Sequence, residues 1–306
     1  NQDPSGHVPA LLAEVLDLLQ LRSGDDAIDC TFGGGGYTQA LLERVAPKGW
    51  VVAFDADPEE VTRGYALSWT ASERDRLTLV HGTFADIERL AQSTGHESPR
   101  AIVADLGVSS FQLSTSNRGF SFAHGGALDM RFDPQSTGQT AADIIRDASI
   151  DELTRILRTY GEERHAHRIA EAIVRARRDA EITTAEALAV VISRAVPRSS
   201  RIHPATRTFQ ALRIAVNDEL HVLERGIRAM RNCIAVGGRI AIVSFHSLED
   251  RIVKRAFRSA AREGTGTLVT RRPMCPSRAE VLRNPRSRSA KLRVLERTAS
   301  IQEKPK

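Results

Sequence analysis

Four consecutive glycines, Gly33-Gly34-Gly35-Gly36, lie between residues 26–30, which read as a short buried strand, and a helical pattern at residues 37–45. Glycine, lacking a Cβ, lets the backbone turn sharply and approach a ligand, and a helix that follows offers unpaired N–H groups to an anionic moiety. The junction predicts a strand, a ligand-binding loop and a helix. The chain around it repeats that alternation. Val8, Leu11, Leu12, Val15, Leu18 and Leu19 recur at three- and four-residue steps, giving a helix with one apolar face ahead of the first strand. After the loop come strands at 50–55, 76–80 and 101–105, with helical patterns at 58–68 and 85–91 between them. Such repetition builds a predominantly parallel, twisted sheet with helices on both faces, an α/β architecture.

The alternation then stops. Residues 111–133 are rich in Ser, Gly, Asn and aromatics and read as a long irregular loop, a common place for substrate contacts. Helical spacing without a convincing strand follows at 141–145, 150–160, 163–178 and 184–195, ending near Pro204. A helix over 210–233 leads back to sheet-like sequence at 239–245. The expected organisation is a discontinuous sheet domain, 1–110 with 206–306, interrupted at 111–205 by the loop and an inserted helical domain.

At 306 residues with 41% hydrophobic side chains, the chain has material for a large core. No apolar run approaches the roughly 20 residues that cross a bilayer, and the N-terminus lacks the charged and apolar regions of a secretory signal, so no membrane partner and a cytoplasmic location are expected. Cys30, Cys233 and Cys275 are scattered, with neither a Cys-x-x-Cys pair nor a close histidine partner, so neither a disulfide nor a metal site is expected. A formal charge of +5 suits a polyanionic partner, and its clustering says more than its sum. Basic residues gather at Arg198, Arg201, His203, Arg207 and Arg213, and again from Arg271 to Arg293. The alternating charges of residues 162–168 read instead as solvated helix surface.

Asp55 ends the strand after the glycine loop, about 20 residues downstream, where a carboxylate accepts hydrogen bonds from ribose hydroxyls. That much fits a dinucleotide and an adenosyl sulfonium cofactor equally. Asp105, at the end of the strand 101–105, favours the second, because another carboxylate beside the cofactor suits a cation and suits NAD phosphates poorly.

Longer motifs carry a resemblance. Asp105-Leu106-Gly107-Val108-Ser109-Ser110, Asn117-Arg118-Gly119-Phe120-Ser121-Phe122, Leu128-Asp129-Met130-Arg131-Phe132-Asp133, the run from His203 to Asn217, Ser244-Phe245-His246-Ser247-Leu248-Glu249-Asp250-Arg251 and Asn284-Pro285-Arg286-Ser287-Arg288-Ser289-Ala290-Lys291 follow one another in order. Together they resemble the bacterial small-subunit ribosomal RNA cytosine-N4 methyltransferase family, RsmH or MraW, from His7-Val8-Pro9 to Leu292-Arg293. The resemblance implies a Rossmann-like class I methyltransferase with a helical substrate-recognition domain. It also implies S-adenosyl-L-methionine as cofactor, and a cytidine 4-amino group in the decoding region as methyl acceptor. The implied partner is small-subunit ribosomal RNA within the assembled subunit. Oligomeric state is not legible.

Carried over, the family's cofactor contacts fall on Gly33, Gly35, Gly36, Tyr37, Asp55, Phe84, Asp105 and Gln112. Tyr37 stands where the family usually has His, so a backbone contact is expected there rather than one by its side chain. Catalytic candidates are Asp105, Ser109 and His246. Asp105 reads equally as a pure cofactor ligand, Ser109 as a turn cap and His246 as a structural residue. Expected RNA contacts are Arg118, Arg131, Arg198, Arg201, Arg207, Arg213, Arg286, Arg288 and Lys291. A DNA amino methyltransferase, an NAD-dependent oxidoreductase and a non-catalytic RNA-binding factor are the alternatives.

Overall fold

The computed structural model describes residues 9–114, 118–122, 126–196 and 203–298. Two compact units emerge, one from Asn1–Gly107 and Leu220–Lys306, the other from Val108–Glu219. The first opens with α1 (Leu12–Leu19), β1 (Ala27–Asp29), α2 (Gly36–Val45), β2 (Val51–Asp55), α3 (Pro58–Ala66), α4 (Ala71–Arg74), β3 (Leu77–His81), α5 (Ile87–Thr94) and β4 (Ala101–Asp105). The second carries α6 (Ser110–Ser114), α7 (Ala141–Asp147), α8 (Ile150–Gly161), α9 (Ala166–Asp179), α10 (Ala185–Ala195) and α11 (Thr206–Asn217). The chain re-enters the first unit through α12 (Glu219–Cys233), followed by β5 (Arg239–Ser244), α13 (Ser247–Arg262), β6 (Gly266–Leu268), α14 (Arg278–Arg283) and β7 (Lys291–Arg297).

The sheet has the order β3-β2-β1-β4-β5-β7-β6. Its first five strands are parallel, and β7 runs antiparallel to both β5 and β6. This is the Rossmann-like sheet that the alternation implies, with a closing antiparallel pair that the sequence reading leaves unassigned. Alternation along β4 shows how both faces are filled. Ile102 and Ala104 join Phe54, Ile227, Val253 and Phe257 in one buried cluster, while Ala101 and Val103 join Val15, Leu41, Leu42 and Val243 in another. Strands covered on both faces are buried along their length: β1 throughout, β2 and β4 up to their last residues. The last residue of each of the three is an aspartate. Strand order reverses between β1 and β4, and in such sheets the carboxyl ends flanking the reversal open on the ligand crevice.

In the second unit, Leu153, Leu157, Ile169, Ile173, Leu188 and Leu212 share one core. Thr140 caps α7 and Ser149 caps α8, each accepting a backbone N–H three residues on.

Two expectations need correction. The helix expected over 210–233 is two helices, because Asp218 takes a left-handed φ of 48° between α11 and α12. Phe209, Ala211 and Leu212 of α11 join the helical core, so this segment falls with the second unit rather than with the sheet. The basic stretch ending at Arg293 is ordered structure: Leu292 and Val294 are buried in β7, and Arg293 donates to Asp250 at 2.7 Å. Among the described residues, no helix is long and apolar enough to cross a membrane.

Phe257 of α13 is among the largest fully buried side chains. Phe257→Ala should cost about 3–5 kcal/mol in denaturant unfolding, by lost burial and the cavity left behind. A loss below about 1 kcal/mol would show that the face of α13 packed on the sheet does not hold the fold together.

Candidate functional site

Three carboxyls stand at the ends of β1, β2 and β4. Asp55 clamps the glycine loop: its Oδ2 accepts the Gly33 N–H at 2.8 Å, and its Oδ1 accepts the Asp57 N–H at 2.9 Å. Burial pushes its carboxyl up to about 7 against these two hydrogen bonds, and the charges of Glu60 and Asp57 push the same way. Gly33 and Gly35 both take left-handed φ values, 48° and 81°, and the Gly35 N–H closes the turn on the Phe32 carbonyl at 2.7 Å. A side chain would strain both positions.

Asp29 was missed in the sequence. It is wholly buried; its Oδ2 accepts the Thr38 hydroxyl at 2.7 Å and its Oδ1 the Thr31 N–H at 3.1 Å. Thr31 Oγ1 in turn accepts the Asp105 N–H at 2.7 Å. Asp29 thus ties the start of the loop to α2 and, through Thr31, to the end of β4. Burial lifts its carboxyl to about 6. The available signal was an acid in an otherwise apolar strand, four residues before the glycines, since a buried carboxylate needs a reason.

Asp105 is different in kind. Its Oδ1 is shut off from solvent and has no hydrogen-bond partner among the described residues. Burial holds its carboxyl well above the usual range, with smaller contributions from the Asp29 and Glu249 charges. Buried polar atoms are nearly always satisfied, and a carboxyl oxygen left unmatched where a ligand binds is an acceptor set for that ligand's donor or cation.

Tyr37 and Gly36 hold the N-terminal segment. The Tyr37 hydroxyl donates to the Ala10 carbonyl at 2.5 Å, and burial raises its phenol well above the ordinary value. A Cβ on Gly36 would lie 2.6 Å from Pro9 Cγ. Leu11 in that segment donates its N–H to Glu280 Oε1 at 2.7 Å. The Tyr37 side chain is therefore committed to the fold. Phe84 opens a short 3-10 turn and packs on Gly226 of α12, where a Cβ would come within 2.3 Å of its ring.

His246 caps α13: its Nδ1 accepts the Glu249 N–H at 3.4 Å, and Glu249 Oε2 takes the backbone N–H of Phe245 and of His246 at 2.8 and 3.2 Å. In the second unit, Ser109 and Gln112 hold each other: the Gln112 N–H donates to Ser109 Oγ and the Ser109 N–H to Gln112 Oε1, both at 3.0 Å.

The arginines expected to bind RNA divide sharply. Arg118 is buried, donates to the carbonyls of Arg131 and Phe132 at 2.6 Å, and lies over the Phe120 ring. Arg131 makes a bidentate pair with Asp129, and Arg213 makes one with Glu219. Those three guanidiniums shape loops and helix ends. Arg207 donates to the Glu162 carbonyl from an exposed site, Arg286 and Arg288 are exposed on the turn at 285–289, and Lys291 lies 3.6 Å from Asp250. Arg198 and Arg201 lie outside the described residues, as does Asn117.

A carboxyl near 7 in the fold and near 4 when unfolded stabilises the protein while protonated, so this contribution is whole at acid pH and drains away as pH rises from about 4 to about 7. The ligand-free protein should lose part of its stability across that window, and Asp55→Asn should flatten the decline in melting temperature. An equally steep decline in the variant would show that Asp55 is not the group that titrates.

The family model described as the MraW methylase family matches residues 4–298. Among curated proteins, those named ribosomal RNA small subunit methyltransferase H are close relatives. The one from Methylobacterium nodulans is 47% identical, over 95% of this chain and 90% of its own. That from Rhodospirillum centenum is also 47% identical, over 97% and 94%, and that from Thermomicrobium roseum 48%, over 97% and 96%. S-adenosyl-L-methionine is the cofactor of this methyltransferase family, and a buried carboxyl oxygen without a partner, such as that of Asp105, suits a ligand that carries positive charge. The chain belongs to the MraW methylase family.

Proposed function

We propose that the protein transfers the methyl group of S-adenosyl-L-methionine to the exocyclic 4-amino group of a cytidine in the decoding region of small-subunit ribosomal RNA. The acceptor is taken as the assembled subunit in the cytoplasm. The relatives' names support the ribosomal RNA, and the unmatched Asp105 oxygen supports the chemistry.

The bound cofactor supplies an electrophilic methyl on a cationic sulfur. A cytosine amine is a poor nucleophile because its lone pair is delocalised into the ring, so its orientation toward that methyl matters more than a strong base. Asp55 carries two backbone hydrogen bonds and keeps lone pairs for ribose hydroxyls. Phe84, with its ring set on Gly226, offers an edge to the adenine. Asp105 Oδ1 would either accept from the amine N–H, stabilising the positive charge that develops on nitrogen as the methyl moves, or face the cofactor's cationic groups, in which case it holds the cofactor. His246 and Ser109, as helix and turn caps, act by position. Arg207, Arg286 and Arg288 supply phosphate contacts. The base must be unpaired or flipped out for its amine to be reached.

The test is incubation with labelled cofactor and undermethylated small subunits, free ribosomal RNA or duplex DNA, followed by digestion to nucleosides. Label should appear in N4-methylcytidine from the subunits. Label absent from cytidine would overturn the reading. In calorimetry, Asp55→Ala should weaken cofactor binding by about 1.5–3 kcal/mol, the worth of charged-acceptor hydrogen bonds. Unchanged affinity would remove Asp55 from the site.

A further inference from the structure

Helix α13 has two faces of opposite character. Val253, Phe257 and Ala260 are buried against the sheet. Arg251, Arg255, Arg258 and Arg262 are exposed. At about 100° per residue those four fall within about 60° of one another, on the side away from the buried residues, and they span about 16 Å along the axis. An ordinary solvated helix mixes signs, as α12 does, where exposed Glu224 sits beside Arg225 and Arg228 and Arg225 pairs with Asp86.

On α13 the acids are engaged elsewhere. Glu249 is held in the cap with His246, Asp250 by Arg293 and Lys291, and Glu263, just past the helix, by Arg231 and Ser259. Three of the arginines, Arg255, Arg258 and Arg262, also line a groove with Ala261 and with Leu268 of the edge strand β6. The row is straight, single-signed and set beside a concave surface.

We propose that this face of α13 is a second RNA-docking track, which holds the phosphate backbone of the substrate RNA apart from the Arg286 and Arg288 turn. The proposal rests on reading the protein as an RNA methyltransferase. A polyanion with regularly repeated charge is the occupant that such a row complements, and phosphate contacts of this kind position a nucleic acid without reading its sequence. The track would fix where flanking RNA lies and so which nucleotide is offered to the site.

The test compares the wild type with the triple variant Arg255→Gln, Arg258→Gln, Arg262→Gln. A charge-matched control carries Arg168→Gln, Arg175→Gln and Arg178→Gln on α9. Fluorescence anisotropy with a labelled single-stranded RNA is measured across a salt series. The α13 variant should lower the slope of log affinity against log salt by about 2, and weaken low-salt binding by roughly tenfold or more, with cofactor affinity unchanged. The corresponding triple Lys variant should restore the slope, because a phosphate contact depends on charge. A wild-type slope in the Gln variant, an equal loss in the α9 control, or no rescue by Lys would each overturn the track. Methyl transfer is scored separately on the wild type. A lost slope in the Gln variant with no label in wild-type cytidine sinks the methylation reading, whereas methylated cytidine with an unchanged slope sinks the track alone.

Discussion

The carboxylate of Asp55 accepts the backbone N–H of Gly33 on one oxygen, which ties the glycine loop leaving β1 to the end of β2, and that of Asp57 on the other, which orients the carboxylate. The loop cannot hold its shape by side-chain packing, because it has almost no side chains. Its conformation depends on glycines at left-handed φ and on acceptors brought to it by neighbouring strands. Asp29 is the second such acceptor, through Thr31 and Thr38. Asp105 is drawn into the same arrangement through the Thr31 hydroxyl. Parallel strands in the order β2-β1-β4 are what bring three separated aspartates to one end of the sheet.

That arrangement carries an electrostatic cost. Burial raises each of the three carboxyls most; the charge of Asp29 adds to this at Asp105, and those of Glu60 and Asp57 add to it at Asp55. Without a cation nearby, the cluster holds protons that ordinary aspartates release well below neutrality. A ligand with a sulfonium and an ammonium group reverses the balance by favouring the ionised carboxylates. In the proposed site, the feature that burdens the ligand-free protein would also favour a positively charged cofactor over an anionic dinucleotide. Function and stability pull against each other here, as is common where buried polar groups await a ligand.

Much of this was legible in the sequence. The glycine run, Asp55 and Asp105 stand out because the strand pattern places each at a strand end, and burial on both faces makes β2 and β4 apolar runs up to those aspartates. Asp29 was not legible as a site residue, since its role depends on the hydroxyls of Thr31 and Thr38, and loop geometry alone brings these to it. The break at Asp218 was hidden because the apolar pattern of α11 continues into α12 while the backbone of a single residue changes conformation. Strand β7 was masked by the arginines around it, although Leu292 and Val294 alternate as a strand should. Pairing was not legible either: Arg118 is held by backbone carbonyls, Arg131 by Asp129 and Arg213 by Glu219. Composition gives the sign of a surface, and only packing says which of its charges are left for a partner.

The central claim is that the aspartates at the strand ends are held partly neutral until a cationic cofactor arrives. Calorimetric titration of S-adenosyl-L-methionine near neutral pH, repeated in buffers of different ionisation enthalpy, counts the protons exchanged on binding. The account predicts a net release of protons, reduced in Asp105→Asn. Binding with no proton exchange, or with net uptake, would contradict it.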